Sequence, residues 1–176
     1  GNVTKITDGR GHSIVNVYNE LDELVQTYHV PDGGAVAPAT SVVTYYHDAN
    51  GNVVRTEVLN ADHEGTVDTG NQAFATTHQY DELDRRTHTF EEISSSVTAE
   101  TRFSYDANGN LSLVEYPEAR AGNDSSNIRE TVYDERDLAW LVVRAEGSAD
   151  VTTTSLAYDG DENLVEAVAA VEYLTE

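Results

Sequence analysis

The sequence has no cysteine and no methionine, only three prolines in 176 residues, and ten lysines and arginines against 32 aspartates and glutamates. Each scarcity excludes something. Without cysteine there is no disulfide framework and no thiol chemistry, and the redox compartment stays open. A net charge of −22 repels nucleic acid and anionic lipid, which argues against nucleic-acid binding. The acidic residues are spread along the whole chain, which favours a solvated surface over a face for one basic partner. No run of 18 apolar residues and no cationic n-region with an apolar h-region occurs, so this segment carries neither a membrane span nor a signal. A hydrophobic fraction of 39% and a mean hydropathy of −0.48 are low for a compact domain. A domain of this length would bury about 70% of its unfolded surface. The same values are too apolar for disorder, and a thin sheet accommodates both.

What is present is a recurring short pattern, clearest at Phe103-Ser-Tyr-Asp-Ala-Asn-Gly-Asn-Leu-Ser-Leu-Val114. Alternating apolar positions on either side give two arms with the period of two that defines strands. Between them Asp106 can hydrogen-bond the backbone two residues on, and Asn108 and Gly109 tolerate positive φ, so the chain reverses here at little cost. Aligning the aromatic before each turn gives Tyr18, His47, Tyr80, Tyr105, Tyr133 and Tyr158, at steps of 25 to 33 residues. Gly1-Asn2-Val3 matches Gly51-Asn52-Val53 and Gly109-Asn110-Leu111 as a copy lacking its front half. A period in this range marks a stacked array. The start in mid-repeat and the lack of any methionine read as an excerpt from a longer polypeptide.

Tyr-Asp-x-x-Gly-Asn/Arg at this spacing resembles the YD repeat of the Rhs proteins, the insecticidal toxin-complex shells, bacterial wall-associated proteins and the teneurins. The match is closest at Tyr105-Asp106-Ala-Asn-Gly109-Asn110 and His47-Asp48-Ala-Asn-Gly51-Asn52. It is good at Tyr80-Asp81-Glu-Leu-Asp84-Arg85, and weaker at Tyr18-Asn19-Glu-Leu-Asp22, Tyr133-Asp134-Glu-Arg-Asp137 and Tyr158-Asp159-Gly-Asp-Glu-Asn163. The resemblance implies an all-β fold: antiparallel YD-type hairpins in a spiralling, solenoid-like or shell-like sheet, often closed around a passenger. Residues 1–176 are then one array of about six hairpin repeats plus a partial one.

Along the chain, strands are expected at residues 13–18, 24–28, 42–47, 53–59, 74–80 and 86–90, with residues 91–98 returning the chain to the central hairpin. Residues 131–133 and 139–144 continue the series. Pro31 to Pro38 excludes a regular interior strand and reads as an exposed loop, as do residues 60–71 and 117–127. Turns with Gly-Asn or Glu-Asn at 1–2, 51–52, 109–110 and 162–163 alternate with turns ending in aspartate at 22, 84 and 137. The alternation suggests a structural unit of two hairpins whose neighbouring turns nest, with short turns along one sheet edge and long loops along the other. The stretch from Asn163 to Leu174 favours helix by propensity, whereas register makes Leu164 to Val168 a strand; register is the reading adopted.

The candidate chemistry is thin. Asp48-Asn50-Asn52 and Asp106-Asn108-Asn110 resemble the start of a calcium loop, yet glycine stands fourth instead of sixth, and the twelfth residues are Leu59 and Pro117. A turn-stabilising role is the better reading. His12, His29, His47, His63, His78 and His88 show no metal-ligand spacing, and no Gly-x-Ser-x-Gly elbow accompanies the serines. Carboxylates repeated once per unit are a structural device instead of an acid–base pair. The aromatics Tyr18, Tyr45, Tyr80, Phe103, Tyr105, Tyr133, Trp140 and Tyr158 either stack sugars or pack between hairpins, and packing is the simpler account. The self-cleaving Rhs shells use an Asp-Pro-rich C-terminal segment; Asp-Pro is absent here.

The sequence is therefore read as a non-enzymatic scaffold without cofactor or metal. Its structural turn residues are Tyr18, Asp48, Gly51, Asn52, Tyr80, Asp81, Tyr105, Asp106, Gly109, Asn110, Tyr133, Asp134, Tyr158, Asp159 and Asn163. The expected source is a large secreted or surface-exposed bacterial protein. Its partners are adjacent repeats of the same longer chain, with a toxin passenger inside a shell or identical copies in a surface fibre or adhesin. No partner is a nucleic acid, and the segment does not insert into a membrane. A glycan-binding module is a weaker third reading.

Overall fold

Alternating Val, Thr, Tyr and Ile with polar residues, punctuated every dozen residues by Asp, Asn and Gly, leaves the chain little choice but hairpins. The computed structural model describes residues 1–30, 40–61, 66–145 and 150–173. Among them are thirteen strands in one antiparallel sheet, each lying beside its sequence neighbours. They are β1 (Lys5–Thr7), β2 (Ser13–Tyr18), β3 (Leu24–Val30), β4 (Thr40–His47), β5 (Val53–Leu59), β6 (Ala73–Tyr80) and β7 (Arg86–Ser94). They continue as β8 (Val97–Tyr105), β9 (Leu111–Glu115), β10 (Ile128–Tyr133), β11 (Ala139–Arg144), β12 (Asp150–Tyr158) and β13 (Leu164–Tyr173). The chain divides into two compact units. The first holds Gly1–Arg85 and Thr89–Ala99, the second Arg86–His88 and Glu100–Glu176.

Five of the hairpins share one irregularity. Next to the turn, Tyr18 faces Leu24 although Val17 faces Gln26, so Val25 has no opposite number. The same one-residue slip leaves over Val54, Ser112, Trp140 and Val165. A bulge of this kind bends its strand and raises the local twist.

The sheet has almost no interior. Among the described residues Val114, 3% exposed, is the single buried hydrophobic side chain, and Ser13 and Thr89 are the buried polar ones. Large apolar groups stay in part exposed, Leu21, Leu83 and Val165 among them. Stability therefore rests on ladder hydrogen bonds, cross-strand pairs and turns more than on a packed core.

Three expectations need correction. Residues 91–98 are no connecting segment, because β7 runs to Ser94 and β8 starts at Val97. Ser95 and Ser96 alone form the turn, and both arms are rich enough in Thr, Val and Ile to stay extended. The loop at 117–127 opens with a short helix, α1 (Pro117–Arg120), because Pro117 presets φ at the first helical position. Arg120 of α1 reaches Glu100 and Glu115 at 3.2 and 3.4 Å, which ties the helix to β8 and β9. Nor is the second sheet edge made only of long loops: residues 8–12 and 95–96 are short connections between β1 and β2 and between β7 and β8. The stretch from Pro31 to Pro38, and His63, lie outside the described residues. At Leu164–Tyr173 nine cross-strand pairs with β12 prevail over helix propensity.

Candidate functional site: a repeated tyrosine–aspartate turn

Every β-hairpin that follows a repeat aromatic closes on a five-residue turn with the same backbone bonds. At 106–110 the Asp106 N–H donates to the Asn110 carbonyl at 2.9 Å, and the Gly109 N–H donates back to the Asp106 carbonyl at 3.1 Å. The Asp106 carboxylate then caps the turn, Oδ1 accepting the N–H groups of Asn108 and Asn110, both at 2.9 Å. Its Oδ2 accepts the Asn110 amide at 3.2 Å. The same pair of backbone N–H groups is held by Asp48, Asp81, Asp134 and Asp159. Asn19 does it with a neutral amide oxygen.

The fourth turn residue is left-handed in every copy: φ is 86° at Gly51 and 93° at Gly109. It is 63° at Asp22, 57° at Asp84, 62° at Asp137 and 67° at Glu162. The two turn types that alternate in sequence therefore share one backbone. Aspartate is among the few non-glycine residues that enter this region at modest cost.

The turn that Gly9-Arg10-Gly11 marks in the sequence carries a cap that the sequence reading did not assign: Asp8 accepts the N–H groups of Arg10 and His12, and Gly11 has φ of 95°. It is the same device without a preceding tyrosine, at the β1–β2 connection. The Asp8-x-x-Gly11 spacing was the available signal.

The tyrosine before the aspartate does a second job. Where two hairpins meet, backbone pairing stops short of the turn, as at Glu130 with Leu113 and Leu141 with Ser155. Beyond that point the tyrosine hydroxyl donates to the carbonyl of the first residue after the preceding turn. Tyr18 reaches Val3 at 3.2 Å, Tyr80 Val53 at 2.9 Å, and Tyr105 Arg86 at 2.8 Å. Tyr133 reaches Leu111 at 3.1 Å and Tyr158 reaches Ala139 at 2.9 Å. The side chain thus extends the ladder past its last backbone pair and satisfies a carbonyl that would otherwise need water. His47 holds the sixth position with a shorter side chain.

Adjacent turns are joined in pairs. The Asn2 amide donates to Asp22 at 2.8 Å. Asn50 and Asn52 donate to Asp84 at 2.9 and 2.7 Å, and Asn108 and Asn110 to Asp137 at 2.9 and 2.7 Å. A Gly-Asn turn supplies the amides and the following turn supplies a left-handed aspartate to receive them, which gives the alternation a physical cause. Contacts of the opposite order differ: the Arg136 guanidinium donates to the Asp159 carbonyl at 3.2 Å.

The electrostatics fit capping. The N–H of Asn110 above all, with its amide, holds the Asp106 carboxyl below the ordinary 3.8. The Leu138 N–H does so for Asp134, the Arg85 side chain for Asp81, the Asn163 amide for Asp159 and the Arg10 N–H for Asp8. At Asp48 partial burial pushes upward, but the bonds from Asn52, Asn50 and Gly51 outweigh it. These carboxylates are spent on backbone donors. Among the described residues no three His, Cys, Asp or Glu groups converge as a metal site, and no helix is long and apolar enough to cross a membrane.

No protein-family model and no curated protein sequence matches the chain. Solved structures do match in fold. The crystal structure of TcdB2-TccC3-TEV superimposes with a TM-score of 0.70 at 15% identity, covering 97% of this chain and 9% of that one. TcdB2-TccC3-Cdc42 gives 0.68 at 15% identity over 95% of this chain and 8% of that one. The Photorhabdus luminescens Tc holotoxin pore gives 0.70 at 15% identity over 97% and 8%. The chain thus spans less than a tenth of the length of the chains it matches.

Proposed function

We propose that the chain is a non-enzymatic segment of a YD-repeat scaffold, one stretch of a β-shell that a large secreted or surface-exposed bacterial protein builds around a toxin passenger. The observation that carries this reading is the repeated joint: a capped turn, a left-handed fourth residue and a tyrosine hydroxyl on the neighbouring carbonyl. A joint that ties five of the six hairpins to the one before suits an extended wall, because the same socket recurs along the chain. Fold likeness to toxin-complex chains over nearly the whole segment supports the same reading. Residues 1–176 are one array on this account. The fifteen turn residues are structural, and their aspartates are capping groups and not acid–base catalysts.

A surface fibre is the second reading, favoured by the apolar side chains left exposed along a single-layered sheet, such as Val58, Phe74 and Ile93. Limited proteolysis of the intact full-length protein separates the two. In the shell reading the segment encoded beyond the array resists protease until the array is unfolded. Digestion of that segment at the rate of the same segment expressed alone sinks the shell reading.

A further inference from the structure

In the second unit the six arginines fall into two groups. Arg102 pairs with Glu115 at 3.4 Å, Arg120 with Glu100 and Glu115, and Arg136 with Asp134 at 2.8 Å. Arg86, Arg129 and Arg144 make no ion pair among the described residues, in a chain with 32 acidic side chains.

The three unpaired arginines share one face. Cross-strand register places Phe103 opposite Val114, Val114 opposite Arg129, and Arg129 opposite Arg144. Directly opposed residues in an antiparallel sheet point to the same side. The Arg86 guanidinium lies over the Phe103 ring, 4.7 Å from its centroid, and so joins the row. Arg102 and Glu115 are directly opposed one position along, on the other face, where α1 also packs. The sheet thus puts the ion-paired Arg102 on one face and Arg129 and Arg144, which have no ion pair among the described residues, on the other.

Two features make this row costly as it stands. Like charges directly opposite one another repel, and neither guanidinium can shed its charge. The Arg129 Nε is buried without any hydrogen-bond partner. A lost bond to a buried donor is a penalty that an acceptor oxygen would remove. Arg86 and Arg144 are exposed, so the buried Arg129 Nε is the donor of the row that water does not serve.

We propose that Arg129 and Arg144, with Arg86 at the end of the row, form an oxyanion site that takes a carboxylate or phosphoryl group from a ligand. A doubly bonded acceptor matches the fork of a guanidinium, and opposed Cβ atoms about 5 Å apart bring two such forks within reach of one anion. The surrounding charge of −22 suppresses diffuse anion binding, so any anion held here owes its retention to this row.

The test is an NMR titration of the whole chain, reading the arginine Nε–Hε resonances at constant ionic strength. One arm uses inorganic pyrophosphate and the other an extended glutamate hexapeptide. Saturable shifts at Arg129 and Arg144 are expected in at least one arm, and the tighter arm says whether the acceptor is a free phosphoryl group or a chain carboxylate. Arg144→Gln should weaken that binding about tenfold or more, Arg144→Lys should restore part of it, and Arg102→Gln on the opposite face should leave it unchanged. Native amide spectra of each variant check that the fold is kept. Absence of saturation in both arms overturns the proposal. So does equal weakening by Arg102→Gln and Arg144→Gln, which would reduce the effect to general charge.

Discussion

His47 offers a gain-of-stability experiment that few arrays allow. Five tyrosines place a hydroxyl 2.8 to 3.2 Å from the carbonyl that follows the preceding turn. In the sixth copy that carbonyl belongs to Leu24, the first residue after the 19–23 turn. His47→Tyr should add the missing bond, worth about 1 kcal/mol net for a hydrogen bond of this type. His47→Phe supplies the ring without the hydroxyl, so the difference between the two variants isolates the bond from apolar burial. For a chain of this size 1 kcal/mol moves the thermal midpoint by about 2–4 °C. Far-UV circular dichroism in urea is the suitable probe, because the single tryptophan, Trp140, lies in the second unit and reports poorly on the first. Hydrogen exchange at residues 24–26 should slow in the tyrosine variant alone. Equal stability of the tyrosine and phenylalanine variants would refute the ladder-extending role.

The inter-turn contact predicts coupling between Asn52→Ala and Asp84→Ala. A double-mutant cycle should show about 0.5–1 kcal/mol in urea unfolding, and a value indistinguishable from zero would remove the cause assigned to the alternation. Asp84→Gly should be milder than Asp84→Ala because glycine relieves the left-handed φ of 57° while losing the same acceptor. Gly109→Val imposes a branched side chain at φ of 93° and should cost on the order of 1–3 kcal/mol; an unchanged midpoint would contradict that geometry. Acid sensitivity has a definite sign. The capping carboxyls are depressed below 3.8, so their contribution is present above the unfolded pKa and fades as pH falls through the lower folded values. The urea midpoint should hold from neutrality to about pH 4 and drop below it. Asp106→Asn, which mimics the neutral cap at Asn19, should lessen that drop, and an unaltered pH profile would count against capping.

How much could be read from the chain follows from the range of each interaction. The turns are local: Asp106 and Gly109 lie within five residues, and side-chain capping with positive φ constrains residue type enough to show. Strand positions followed from alternation, including the conflict at Leu164–Tyr173, where pairing with β12 decided. The tyrosine hydroxyl was not legible, because its acceptor lies 15 to 27 residues away and is a carbonyl, which leaves no side-chain signature. The Asn52–Asp84 contact left a trace only as an alternation whose cause needed geometry. Residues 91–98 misled because a two-serine turn lacks the Asp and Gly markers of its neighbours. The arginine row was invisible in sequence, since Arg86, Arg129 and Arg144 are brought onto one face solely by strand register and by the ring contact at Phe103.

Negative-stain electron microscopy of the native full-length protein tests the central claim most directly. A wall built of these joints predicts closed, hollow particles with density inside. Long filaments repeating every few hairpins would contradict it and make this segment the building block of a surface fibre.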